Sequence, residues 1–142
     1  SRDEKYDQGM AFKQIGQLEE AAEAFRAAAE TAPDRAADAL EMLGLCMLDL
    51  GRLEEAVAAF ERALDRAPGG AAAVNLRYEL GDANERLGEF ESARAWFLAC
   101  RETAPEHRDV ELRLRALARA EPGGRDESTP SLPAKRSKIS YL

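Results

Sequence analysis

Residues able to do catalytic chemistry are few in this chain. Its one histidine, His107, sits just past Pro105, a residue that ends a helix, and this place suits a capping or surface role. Cys46 and Cys100 lie too far apart in sequence to form a Cys-x-x-Cys redox pair, and both are expected to be reduced. Carboxylates abound, but Glu19, Glu20, Glu54 and Glu55 open helical stretches, where they favour the positive end of the helix dipole. No Gly-rich phosphate loop, His-Glu-x-x-His helix or nucleophile elbow occurs. The expectation is a protein that is not an enzyme and takes no cofactor or metal. Recognition is the chemistry left, and its residues must be found through the elements that carry them.

Those elements announce themselves by repetition. Gly9, Gly16, Ala21, Phe25, Ala28 and Pro33 recur as Gly44, Gly51, Ala56, Phe60, Ala63 and Pro68, then as Gly81, Gly88, Ala93, Phe97, Cys100 and Pro105. The spacings of 7, 5, 4, 3 and 5 are identical in every copy, and only Cys100 departs among the 18 positions. Each copy is a helical stretch, a break at the second glycine and a second helical stretch ended by proline, hence an antiparallel helix pair. The first Gly and first Ala are expected on facing sides of the pair, where small size permits close approach. The Phe fills the wedge beside them, and the next Ala or Cys leaves room for the following unit.

These positions resemble the tetratricopeptide repeat, over roughly residues 2 to 107 as three units. Leu18, Leu53 and Phe90 after the turn fit that family, as do Leu40, Leu43 and Met47 in the second unit. The resemblance implies an all-α superhelix with repeats at about 2–35, 37–70 and 74–107. Lys5 and Gln8 in the first unit, and Arg77 and Asn84 in the third, stand where the family prefers bulky apolar residues. The Gly-to-Gly intervals of 35 and 37 put extra residues near Ala36 and Ala71–Ala73, predicting a longer helix start or turn and an altered local twist.

Composition agrees. A chain of 142 residues with 45% hydrophobic content supports one domain whose core is built by stacking. The abundance of alanine favours helix and no run of alternating β-branched residues occurs. No apolar stretch approaches the roughly 20 residues that would cross a bilayer, and the charged start Ser1–Lys5 is no signal peptide. No direct membrane insertion and a cytoplasmic location are the expectations. The richness in Ala, Arg and Gly hints at a GC-rich bacterial genome.

From 106 to 120 a further amphipathic stretch places Val110, Leu114 and Leu117 on one face, with Asp109–Arg113 and Glu111–Arg115 as i,i+4 pairs. It reads as the helix that closes the array, giving a repeat domain of residues 1–120. Residues 121–142 change character: Pro122, Gly123, Gly124, Pro130 and Pro133 mark a linker, followed by Lys135, Arg136, Lys138, Ile139, Tyr141 and Leu142. A basic cluster with an apolar end has the format of a docking peptide.

In the resembled family the first helix of each unit lines a concave surface. The positions there are Asp3, Tyr6, Asp7, Met10, Lys13 and Gln14; then Asp38, Glu41, Met42, Leu45, Leu48 and Asp49; then Asn75, Tyr78, Glu79, Asp82, Glu85 and Arg86. Eight are acidic and two basic, so a negative trough with apolar patches is expected. The family's Lys, Asn and Arg clamp for chaperone carboxylate tails is missing, because Tyr6, Met10, Met42, Asn75 and Glu79 take its places. Residues 1–120 hold 24 acidic and 16 basic side chains, and residues 121–142 hold 3 and 4. This reading predicts a scaffold that binds a basic, apolar peptide, with Lys135–Leu142 as such a peptide docking in the same molecule or linking a homo-oligomer. About 14 linker residues reach on the order of 20 Å, which permits either. The charge of the array repels phosphate and excludes a nucleic-acid partner. The alternatives are a chaperone for an exported substrate and a regulatory module of a larger bacterial protein.

Overall fold

The computed structural model describes residues 3–67 and 69–120. They form α1 (Glu4–Gln14), α2 (Leu18–Thr31), a 3-10 turn at Pro33–Arg35, α3 (Ala36–Asp49), α4 (Leu53–Arg66), α5 (Ala71–Leu87), α6 (Phe90–Thr103) and α7 (Val110–Ala120), with no strand among them. Helices pair in order, α1 with α2, α3 with α4 and α5 with α6, and each second helix also packs on the next first helix. From α2 onward each helix therefore buries apolar residues against its sequence neighbours, the arrangement that stacking repeats require.

The repeated residues do definite mechanical work. Gly16, Gly51 and Gly88 adopt left-handed φ values of 80°, 78° and 83° between the helices of each pair. Each glycine N–H reaches back three residues, and the next residue's N–H reaches back five, as in Gly51 to Leu48 O at 3.0 Å and Arg52 to Met47 O at 2.8 Å. This Schellman pattern satisfies the last carbonyls of the helix and needs a residue without a Cβ penalty.

Gly9, Gly44 and Gly81 have a different role, and here the structure sharpens the sequence expectation. A Cβ on Gly44 would lie 2.5 Å from Phe60 Cε1, and the same atom on Gly9 or Gly81 would lie 2.6 Å from the ring of Phe25 or Phe97. The absent side chain is a socket for the phenylalanine of the same unit. All three rings are fully buried.

The core is continuous along α2 to α5 around Phe25, Leu40, Met47, Phe60, Leu76 and Leu80. A second cluster of Tyr78, Ala93, Phe97, Cys100, Val110, Leu114 and Leu117 joins α5, α6 and α7. The extra residues appear as the 3-10 turn before α3 and as the start of α5, which runs 17 residues against 14 in α3. The closing helix begins at Val110 rather than 106, because residues 105–109 form turns with Arg108 at φ 51°. Lys5 and Gln8 are exposed, on the face of α1 equivalent to the buried Leu40 and Leu43 of α3. Asn84 is buried, and its amide donates to Leu80 O at 2.8 Å. Burial pushes the thiols of Cys46 and Cys100 up, and both are free.

Candidate functional site

Across α1 and α3 most of the residues expected to line a concave face keep accessible surface. Met10 is 41% exposed, while Tyr6, Met42 and Leu45 are half-buried with part of each side chain at the surface. Asp7, Asp38 and Asp49 are exposed beside them. Leu48 is buried and belongs to the core, so it forms floor rather than lining. Tyr6 stands edge-on to Phe25, with ring centroids 5.5 Å apart, and the Arg35 guanidinium lies 3.9 Å above the Tyr6 ring. Arg35 also lies 3.7 Å from carboxylate oxygens of both Asp3 and Asp38, so this cation bridges the first and second units.

On α5 the geometry is different. Tyr78, Glu79 and Asp82 are only 3%, 7% and 9% exposed, because the α6–α7 turn and α7 cover them. Arg113 donates to Tyr78 Oη at 2.8 Å, to Asp82 Oδ1 at 2.8 Å and to Glu85 Oε1 at 2.9 Å. Burial works against the Arg113 charge, and the hydrogen bonds to Asp82 and Glu85 more than offset it, leaving its pKa above the ordinary arginine value. Arg108 lies 4.0 Å above the Tyr78 ring and donates to Glu79 Oε2 at 3.1 Å. Tyr78 stands edge-on to Phe97 and donates a short hydrogen bond to Asp109; burial first, then that bond, raises its pKa. Third-unit acids thus meet arginines of the chain's own closing segment, whereas Tyr6, Met10, Met42 and Leu45 of α1 and α3 keep accessible surface.

Between these two regions runs a polar chain. Asn75 on α5 donates to Glu41 Oε2 on α3 at 2.8 Å, and its Oδ1 lies 3.0 Å from His107 Nε2. His107 therefore ties the α6–α7 turn to α5 instead of decorating the surface. Burial raises the pKa of Glu41; the Asn75 hydrogen bond opposes this, and the nearby Glu79 and Asp38 charges add to it. Among the described residues no buried side-chain polar atom lacks a partner, and no group of three His, Cys, Asp or Glu could hold a metal.

Sequence reasoning missed the arginines. Tyr6, Glu41 and Tyr78 occupy one register position, and each is met by a side chain from the start of the next unit: Arg35, Asn75 and Arg108. The signal was available, since Arg35 and Arg108 follow a repeat-ending proline by two and three residues. Lys135, Arg136, Lys138, Ile139, Tyr141 and Leu142 lie outside the described residues.

An all-helical stack of paired helices, each pair packed on the next, defines a helical-repeat protein. Two tetratricopeptide-repeat profiles match residues 6–71 and 48–120, and the chain belongs to the tetratricopeptide repeat family. No curated protein sequence matches it significantly. Among solved structures it resembles MamA of AMB-1 at 22% identity and a TM-score of 0.73, covering 92% of this chain and 68% of that one. The first repeat domain of Spaghetti (RPAP3), solved with the HSP90 peptide SRMEEVD, matches at 16% identity and a TM-score of 0.71, covering 80% and 87%. The Yersinia enterocolitica type III secretion chaperone SycD, solved with a peptide of the translocator YopD, matches at 16% and 0.70, covering 81% and 90%. At these identities the likeness is one of fold. None of the described helices is long and apolar enough to cross a membrane.

Proposed function

We propose that this chain is a non-enzymatic scaffold whose trough over α1 and α3 captures a basic peptide bearing apolar side chains. One observation carries the reading: Tyr6, Met10, Met42 and Leu45 keep accessible apolar surface among Asp7, Asp38, Glu41 and Asp49. Apolar patches supply affinity, and the surrounding carboxylates supply orientation and on-rate. Two neighbours of the same fold were solved with peptides, which supports peptide capture as the mode. The HSP90 peptide of one is acidic, whereas the trough here is negative and prefers the opposite sign. Glu79, Asp82 and Glu85 contribute less field, since Arg108 and Arg113 neutralise them. Substituting them would act through α7.

The chain's own Lys135–Leu142 has the required chemistry, in the same molecule or in a second copy. The test uses fluorescence anisotropy of the peptide Lys-Arg-Ser-Lys-Ile-Ser-Tyr-Leu with the full chain, and with a chain ending at Ala120, which retains every core residue named above. The truncated chain is expected to bind tighter, because its competitor is gone, and binding is expected to weaken with salt. Combining Asp7→Lys with Asp49→Lys is expected to weaken it about tenfold, whereas Glu23→Lys on α2 leaves it unchanged. Salt-independent binding, or equal loss in the Glu23 variant, overturns the proposal. A chaperone for an exported substrate would instead show no dependence on the tail.

A further inference from the structure

A cleft of about 200 Å³ is lined by Arg94, Leu98 and Arg101 on α6 and by Glu111, Leu114, Arg115 and Ala118 on α7. It is distinct from the trough: Arg115 lies two residues from Arg113, and positions two apart on a helix point to nearly opposite sides. Arg113 holds α5, and Arg115 faces the cleft.

The repeat register shows what this cleft replaces. Ala22 and Ala29 of α2 correspond to Val57 and Leu64 of α4, and all four pack in or against the core that continues into the following units. At the same register α6 has Arg94 and Arg101. No described helix follows α7, so the place that a next second helix would fill against α6 and α7 is open, with a floor of Leu98 and Leu114 under guanidinium walls. Arg101 is engaged by Glu111 at 3.4 Å, while no carboxylate among the described residues pairs with Arg94 or Arg115.

We infer that the chain's own segment Asp126–Leu132 occupies this cleft, with Asp126 and Glu127 at Arg94 and Arg115. Position favours it. Ala118, at one end of the cleft, is two residues before the last described residue, and only five residues separate Ala120 from Asp126. Gly123 and Gly124 in that interval permit the chain to reverse, so that it runs back along α7 as a second helix of a unit would. Pro130 and Pro133 argue for an extended segment rather than a helix. Charge favours it too: Asp126 and Glu127 are the tail's adjacent acids, followed by Pro130 and Leu132 as apolar residues for the floor. A short tether gives an effective concentration in the millimolar range, so a contact of about millimolar affinity is roughly half occupied. This brace does not depend on the trough proposal, and it shortens the free arm that carries Lys135–Leu142.

The test is backbone ¹⁵N relaxation of the full chain, with circular dichroism to verify folding. Asp126–Leu132 are expected to be motionally restrained relative to Lys135–Leu142. That restraint is expected to be lost in Arg94→Glu with Arg115→Glu, lost in Asp126→Lys with Glu127→Lys, and regained when all four changes are combined. Raising sodium chloride to 0.5 M on the unaltered chain should release the same segment. Fast motion of 126–132 in the unaltered chain overturns the inference, as does restraint that survives either charge swap. Restraint that vanishes on dilution also overturns it, by placing the contact between two copies. Restraint confined to Lys135–Leu142 would refute the brace and leave trough binding standing.

Discussion

Replacing Arg113 with alanine is expected to detach α7 from α5. The Arg113 side chain is 22% exposed and that of Asp82 12%, so the pair lies between the surface and the interior. Truncation leaves Asp82 with only Arg86, at 3.1 Å, and leaves Glu85 and the Tyr78 hydroxyl without their shared donor. Breaking a fully buried pair costs about 3–5 kcal/mol, and an exposed pair contributes about 0.2–1 kcal/mol. The intermediate burial here gives an expected loss of about 2–3 kcal/mol, which lowers the urea midpoint by about 1–2 M for an m-value of order 1.5–2 kcal/mol/M. Arg113→Lys keeps the charge and loses the fork that reaches three acceptors, so it should fall between. Arg119→Ala is the control: it removes an exposed arginine of the same helix and should shift stability by about 0.5 kcal/mol or less. Urea unfolding followed by circular dichroism reports the totals, and hydrogen exchange reports whether α7 opens first. If Arg113→Ala and Arg119→Ala prove equally mild, the idea that α7 is pinned through third-unit carboxylates is wrong.

Two further outcomes test the packing and the electrostatics. Gly44→Ala places a methyl 2.5 Å from Phe60 Cε1 and should destabilise by about 1–3 kcal/mol despite the better helix propensity of alanine. Adding Phe60→Leu should restore part of that loss in a double-mutant cycle, whereas additive losses would show that the ring is not the obstacle. Burial holds the Glu41 pKa above its ordinary 4.5, so the stability tied to its protonated form is present below 4.5 and lost as the pH rises through the folded value. Glu41→Gln keeps an acceptor for Asn75 without the charge. It should raise the melting temperature at pH 7 and give no gain well below pH 4.5, and an equal gain at both would contradict the assignment.

Architecture was legible in the sequence because a repeat states its own contacts several times. Gly44 and Phe60 mark one socket, and their recurrence at fixed spacing fixed the helix pairs, the turn glycines and the stacking order. Site residues were legible only where the next element leaves them alone. Tyr6 and Met10 keep accessible surface, but Tyr78 and Asp82 share their register and are covered by the α6–α7 turn and α7. Periodicity assigns a side chain to a face of its own helix and says nothing of which arginine reaches across from a neighbour. Spacing along α7 pairs Arg113 with Asp109 at i,i+4, whereas its guanidinium turns to Asp82 and Glu85, where two carboxylates and a hydroxyl outweigh one exposed partner.

The Phe–Gly sockets close within single units, whereas the Arg35–Tyr6, Asn75–Glu41 and Arg108–Tyr78 contacts cross from each unit to the one before. The chain therefore separates its folding cartridges from its couplings. A recombination that swaps a whole unit would carry its socket intact, but would need to match the apolar helix faces shared with its neighbours together with the junction residue on either side. Lengthening or shortening such an array by duplication then turns on adapters of two kinds, the apolar faces where one unit stacks on the next and the few polar positions that reach back across each junction.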